Sequence, residues 1–488
     1  MKDRSNILIV CAVLACGWLC FTAGCAQVNS ASTTTTTLPV SETYPADSSY
    51  DDAVGIYVST SGNDSTGNGS IGNPYRTIQH VLDNIATSGS IIVLRGGTYN
   101  ESLNIRTDNI TIRSKNDEWA VLQTSTSDSS INQTVRFNLD TGWSSSGGKL
   151  HRLEIIGGYY YAVKFETMWD WGGADRSGVS SVTIEACIIH DSGRDCVKVT
   201  PNCDDIKIIN CEIYNSGVRD SSNAEGIDNV NGDRMQVADC KIHDIATNGL
   251  YFKGGATDCI AERNTVHDCG GAGILLGFDT SPEYFDLTAN PGYFENINGI
   301  ARNNIVYNIQ NSGIGMYAAK NPQILNNTIV NTSSTYHSPI YFGLTYQDWD
   351  AAAGRPASEG AVIKNNIAVS NSPDSYGVYI RYSSDLGGMN AYSGFPAMGH
   401  NRYYKLGGGA LVFVDQRPTS TYNGALAGWK THISGDTDST EGDPSLDGTY
   451  HLNSGSPCLG AGETIPSVAY DIDKQTRSAP YDIGADQR

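Results

Sequence analysis

The chain has 488 residues, 53 of them glycine, and a formal net charge of −20. That acidity argues against nucleic acid as a direct partner, because a phosphate backbone needs basic patches; a polyanion bridged by a cation stays open. The length would ordinarily mean two or three domains, but a solenoid escapes that rule because its core grows along one axis.

Lys2 and Arg4 precede an apolar run from Ile7 to Phe21. The run is too short for a comfortable membrane span and has the layout of an export signal. It ends in Thr22-Ala23-Gly24-Cys25, which resembles a bacterial lipobox. The resemblance implies a signal peptide over residues 1–24 and a lipid on Cys25, although Thr22 stands where leucine is usual; plain signal cleavage is the alternative. Ala26 is not the Asp of inner-membrane retention, so an outer-membrane or cell-surface lipoprotein is implied, and otherwise a secreted or periplasmic protein. Residues 25–52, with the run Thr33–Thr37, read as a flexible Ser/Thr-rich tether.

Residues 53–102 read as an N-terminal cap with the first strands. Tyr57-Val58-Ser59 and Ile91–Leu94 are predicted strands, and Ile78, Val81, Leu82 and Ile85 share one helical face. A short amphipathic helix there would cover the apolar edge of a solenoid. The order YVS…NPYRTIQ…GGTYNE resembles the opening of bacterial right-handed β-helix proteins of the pectate-lyase-like superfamily.

Between about residues 103 and 385 one motif recurs: CIIHD, CEIYN, CKIHD and NTVHD, each followed by Gly and a short apolar strand. Its leading residues, Cys187, Cys211, Cys240, Asn264, Asn304, Asn327 and Asn366, recur every 23–29 residues, or 39–40 across insertions. A period of that size without amphipathic helices predicts an all-β fold, a single-stranded right-handed parallel β-helix with coils about 4.8 Å apart. Alternation along each strand puts the leading Cys or Asn inward as a ladder. The same alternation puts Lys241 and His243 outward, Leu250 and Phe252 inward, and Tyr251 and Lys253 outward. Three insertions, Tyr159–Trp171, Phe278–Phe294 and Tyr336–Trp349, combine aromatic and acidic residues, as sugar-binding loops do. Residues 386–488 are expected to form the second cap.

Eight cysteines follow Cys25. Without a CxxC pair they suggest neither zinc nor a thioredoxin-type site. The ladder members are expected as buried thiols, with Cys196–Cys203 a possible local bridge.

The candidate chemistry lies on the strand after each Gly. Counting two residues beyond it gives Asp195, Asp228, Tyr251 and Leu275, with Glu225 just before its Gly and Lys198 and Asn231 closing two of the strands. Stacked carboxylates repel unless a hard cation relieves them. AEGID and NGLYFKGG resemble the calcium and base motifs of polysaccharide lyase family nine. That resemblance implies Ca²⁺ on Asp195, Glu225 and Asp228, Lys253 as catalytic base, and an acidic polysaccharide as substrate. Ala224 and Ile227 depart from the family pattern, and Lys253 is displaced by one place. Lys198, Asn231, Tyr251, His243 and His267 are the expected substrate contacts, although the column His190, Tyr214, His243, His267 and Tyr307 reads better as ring stacking. Two alternatives remain: a glycoside hydrolase using the Asp195/Asp228 pair, and a non-catalytic, monomeric glycan-binding solenoid.

Overall fold

The computed structural model describes residues 47–168, 175–345 and 354–488. Cys25, most of the tether, Trp169, Trp171 and the end of the third insertion lie outside the described residues.

Each coil contributes one strand to each of three sheets, as Thr183–Glu185, Ile188–His190 and Val197–Val199 do in one turn of the solenoid. Each sheet has 12 strands. Pairing is parallel from coil to coil until Tyr422–Gly424 turns back against Val412–Asp415. The expected β-helix is therefore present, and it extends beyond 103–385 at both ends: the sheets start at Ile56–Val58 and reach Thr440–Glu441.

The motif encodes the corners of the coil. The residue before each ladder position, such as Asn210, Asp239, Asn303 and Asn326, has positive φ, and so does the Asp or Asn after the His/Tyr position, such as Asp191, Asp244 and Asn308. Asp and Asn tolerate this left-handed conformation better than other side chains. The recurrent Gly precedes the third strand of the coil, where coils stack too closely for a side chain. A Cβ on Gly249 would stand 2.6 Å from the Gly273 carbonyl oxygen.

Inside, one continuous apolar cluster runs from Val58 to Ile433. The ladder lies along its edge and extends one coil further, to Asn401. Asn264 Nδ2 donates to Asn304 Oδ1 at 3.0 Å, Asn304 to Asn327 at 2.9 Å, Asn327 to Asn366 at 3.0 Å and Asn366 to Asn401 at 3.0 Å. Each of these oxygens also accepts the backbone N–H of the preceding ladder residue, which satisfies groups that are costly to bury unpaired. All eight described cysteines are buried free thiols, so Cys196 and Cys203 are not bridged.

The N-terminal helix, Ile78–Asn84, buries Ile78, Val81 and Leu82; Ile85 falls just past its end and is half-exposed. The expected C-terminal cap has two parts. Helix Leu426–His432 closes the last coil with Trp429. The segment after it runs back along the flank, where Leu452, Cys458 and Ile483 pack on Val330, Ile367 and Val369.

Candidate active site

The site stands on the sheet that contains Val197–Val199. Its outward-facing column reads, in register from coil to coil, Arg136, Lys164, Lys198, Asp228, Tyr251, Leu275, Gly315, Tyr341 and Tyr379. Cations therefore lead into a single acid, and aromatic residues follow it. Two of the three expected insertions in fact hold strands of this sheet, Tyr161–Phe165 and Ile340–Gly343, and the third, Phe278–Phe294, follows its strand Ile274–Leu276.

This register corrects the count from glycine. Val197 pairs with Ile227, so Lys198, not Asp195, stands opposite Asp228. Asp195 lies beside Glu225, whose backbone N–H donates to Asp195 Oδ1 at 3.1 Å. The count fails because Gly193 belongs to a turn, where its N–H donates to the Gly158 carbonyl, while inward Val197 and Ile227 set the pairing.

Asp195, Glu225 and Asp228 do come together. One carboxylate oxygen from each lies within 4.8 Å of the others, and all three residues are buried, at 1%, 4% and 1% exposure. Asp195 Oδ2, Glu225 Oε2 and Asp228 Oδ1 are buried without a hydrogen-bond partner. Lys198 Nζ donates to Asp228 Oδ2 and stands 4.0 Å from Asp195 Oδ2. Lys198, expected as a substrate contact, is thus the internal counter-charge of the cluster. Fully ionised, three carboxylates against one ammonium would leave two negative charges.

The environment separates the two aspartates. Burial, then the charge of Asp228, pushes Asp195 well above the ordinary carboxylate range. Burial acts on Asp228 in the same direction, but Lys198 and then Lys253 outweigh it and hold its pKa low. Burial works against the charge of Lys198, and Asp228 and Asp195 more than offset it.

A cleft of about 340 Å³ opens above Asp228, lined among others by Tyr161, Lys164, Lys198, Lys253 and Tyr284. Lys253 reaches over the Tyr251 ring at 4.4 Å from its centroid and donates to the Asp279 carbonyl at 2.9 Å. Tyr251 faces outward as expected but is 1% exposed, because Phe278 of the second insertion stacks on it; it is wall, not a sugar platform. Asn231 is also taken up structurally, since its Nδ2 donates to the Tyr284 carbonyl at 2.7 Å and holds that insertion. The insertion is further fixed by a fully buried ion pair, Arg355 Nε to Glu295 Oε1 at 3.0 Å. Glu295 also accepts from Gly254 N–H and the Thr280 hydroxyl.

His243 and His267 lie on another sheet, away from this cleft. They belong to a stack in which His190, Tyr214, His243, His267 and Tyr307 follow with ring centroids 4.5–5.1 Å apart and nearly parallel planes. Tyr450 from the C-terminal flank packs on its end. Coil-to-coil stacking uses these rings, so they are not placed to meet a substrate in the cleft. Tyr161, Lys164 and Tyr284 were not legible as site residues. Tyr284 comes from the second insertion, and Tyr161 and Lys164 stand on the strand Tyr161–Phe165, whose register places them.

Comparison with known proteins bears on the fold. A family model described as "Right handed beta helix region" matches residues 172–353. The solved complex of XylC with xylose is 10% identical, covers 89% of this chain and 98% of that chain, and superposes with a TM-score of 0.51. The fold is a right-handed parallel β-helix. Pectate lyase Pel9A is 16% identical over 89% of this chain and 96% of that one, with a TM-score of 0.48. The A-module of Azotobacter vinelandii mannuronan C-5 epimerase AlgE4 is 15% identical over 67% of this chain and 90% of that one, with a TM-score of 0.47. Comparison with curated proteins yields no match.

Proposed function

We propose that the protein is an exported polysaccharide lyase that cleaves a uronate-containing glycan by calcium-assisted β-elimination. The observation that supports this most is the trio of unpartnered buried oxygens on Asp195, Glu225 and Asp228 beside a lysine-lined cleft. Such oxygens are costly to leave bare. Fully ionised, the three carboxylates exceed the Lys198 ammonium by two negative charges, which a divalent ion matches, and a hard cation prefers carboxylate ligands. The donor set therefore fits Ca²⁺, held by Asp195, Glu225 and Asp228.

Bound calcium would neutralise the uronate carboxylate and so acidify the neighbouring C5 proton. Lys253, on the coil after Asp228 and facing the same cleft, is the base placed to take that proton. The C5–H electron pair becomes the C4=C5 double bond as the C4–O bond breaks, and the leaving oxygen takes a proton from solvent. Lys164, which lines the same cleft, faces the anionic chain while Lys198 stays on the acid cluster, and the Arg355–Glu295 clamp keeps the Phe278–Phe294 insertion in place over the cleft. The signal-like segment and Cys25 support export with a lipid anchor, residues 25–52 serving as tether.

One observation favours a second reading. Burial and the charge of Asp228 raise the pKa of Asp195, while, against burial, Lys198 and Lys253 hold that of Asp228 low, and a pair separated in this sense has the division of labour of a carboxylate-pair glycoside hydrolase. The products decide between them. A lyase gives ultraviolet-absorbing unsaturated ends, whereas a hydrolase gives reducing ends without absorbance. Turnover of either kind that survives Asp228→Asn would contradict both assignments.

A further inference from the structure

A second, larger cleft opens on the same sheet, about 940 Å³ in volume. Tyr379 at its base is five strands along from Asp228, on the ordered succession of strands that ends Ile314–Tyr317, Ile340–Gly343 and Tyr376–Ile380. At the coil spacing of a β-helix that is ~24 Å.

Three features of this cleft are those of a binding site, and the acid cluster does not use them. Arg381 follows Tyr379 by two residues and so faces the same way. It is the one arginine or lysine lining the cleft among the described residues, it is exposed, and its partner is the Tyr341 hydroxyl and not a carboxylate. The nearby acid Asp415 is already taken by Arg417 at 2.6 Å and His432 at 3.0 Å. Asp374 and Asp385 stand exposed in the lining, away from any ion pair with Arg381. His337 stacks on Tyr341 with centroids 3.9 Å apart, and its Nδ1 is buried with no partner. Burial and the charge of Arg381 push its pKa down to about 4, so it is neutral and able to accept from a hydroxyl. Tyr376 and Tyr379 meet at 4.9 Å with their planes 55° apart, forming an aromatic corner, and Tyr336 is 68% exposed beside it.

We propose that this cleft binds a carboxylate-bearing sugar of the acidic glycan at a distance from the Asp228 cluster, with Arg381 on the carboxylate, His337 on a hydroxyl and Tyr376 and Tyr379 against the ring. The substrate class rests on the function proposed above; the cleft itself does not. A planar guanidinium matches a carboxylate with two parallel hydrogen bonds, and tyrosine faces take the apolar side of a sugar. The cleft therefore extends the binding track from the acid cluster toward the C-terminal coils, and favours long chains over short ones.

Calorimetry in the presence of a chelator, which suppresses turnover, tests this. Long oligogalacturonates and oligomannuronates are titrated beside xylo-oligosaccharides of equal length. Wild-type protein is expected to bind at least one uronate series and to ignore the neutral one. Arg381→Gln and, independently, Tyr376→Ala are expected to weaken that binding at least tenfold. Neither should change cleavage of a short oligomer that spans only the Asp228 cluster. Equal binding of neutral and acidic oligomers by the wild type, or Arg381→Gln binding like the wild type, overturns the proposal. Arg381-dependent uronate binding by a protein without elimination activity would retain this cleft and discard the lyase; elimination indifferent to Arg381 would do the reverse.

Discussion

Asn304 offers the sharpest test of how the ladder holds the solenoid together. Its side chain accepts from Asn264 N–H and Asn264 Nδ2, both at 3.0 Å, and donates to Asn327 Oδ1 and the Ala261 carbonyl, both at 2.9 Å. Asn304→Leu conserves size but removes all four bonds. The Asn264 N–H then has no acceptor in a fully buried setting, at about 1–3 kcal/mol, while the other three groups keep one partner each and lose nearer 0.5–1 kcal/mol apiece. The total is about 2.5–6 kcal/mol. Asn304→Cys should cost distinctly less, because the upstream ladder already uses thiols this way: Cys240 Sγ accepts the Cys211 N–H at 3.4 Å and donates to the Ala238 carbonyl. Denaturant unfolding of the three proteins, with slopes compared to confirm that one cooperative unit is being measured, gives the differences. A leucine variant within about 1 kcal/mol of wild type, or a cysteine variant as damaged as the leucine one, would refute the ladder argument.

Other outcomes follow from the same geometry. His190 is 3% exposed, and Asp191 and Glu154 raise its pKa to about 9 against the lowering effect of burial. A base raised in the folded state stabilises fully below its unfolded pKa near 6.5 and loses that contribution as pH rises to about 9. His190→Gln should therefore remove about 3 kcal/mol of pH-dependent stability over that window, read from unfolding midpoints at pH 6 and pH 9.5; an unchanged pH slope would contradict it. Arg355→Met removes the counter-charge of Glu295, which keeps the Gly254 N–H and the Thr280 hydroxyl, and is expected to cost about 1.5–3 kcal/mol. Pairing it with Glu295→Met should recover most of that loss by thermal unfolding. Lys253→Ala should lower kcat at least a hundredfold with KM little changed, since it removes a proton acceptor and not the binding track.

Much of the fold was legible because a β-helix writes its period into the chain. The ladder Cys and Asn, the left-handed Asp and Asn corners and the stacked glycines each recur once per coil, and each answers a steric or hydrogen-bonding demand of that position. The site was legible only in composition. Asp195, Glu225 and Asp228 meet as expected, but Lys198 occupies the place a count from glycine gives to Asp195. Register is fixed by inward pairs such as Val197 and Ile227, which one sequence does not display. Tyr251 and Asn231 looked available from strand alternation and are covered by the Phe278–Phe294 insertion, whose path depends on the distant Arg355–Glu295 pair. Coverage of that kind has no local signature.

The central claim is that the buried acid trio holds calcium for elimination. The most direct test follows ultraviolet absorbance of a uronate polymer with wild-type protein and Asp228→Asn, each with calcium and with chelator, while calorimetry counts the calcium bound. The expected result is one tight calcium site in the wild type, absorbance that rises only when that site is filled, and loss of both in the variant. Calcium binding and activity both unaffected by Asp228→Asn, or full activity in chelator, would contradict it.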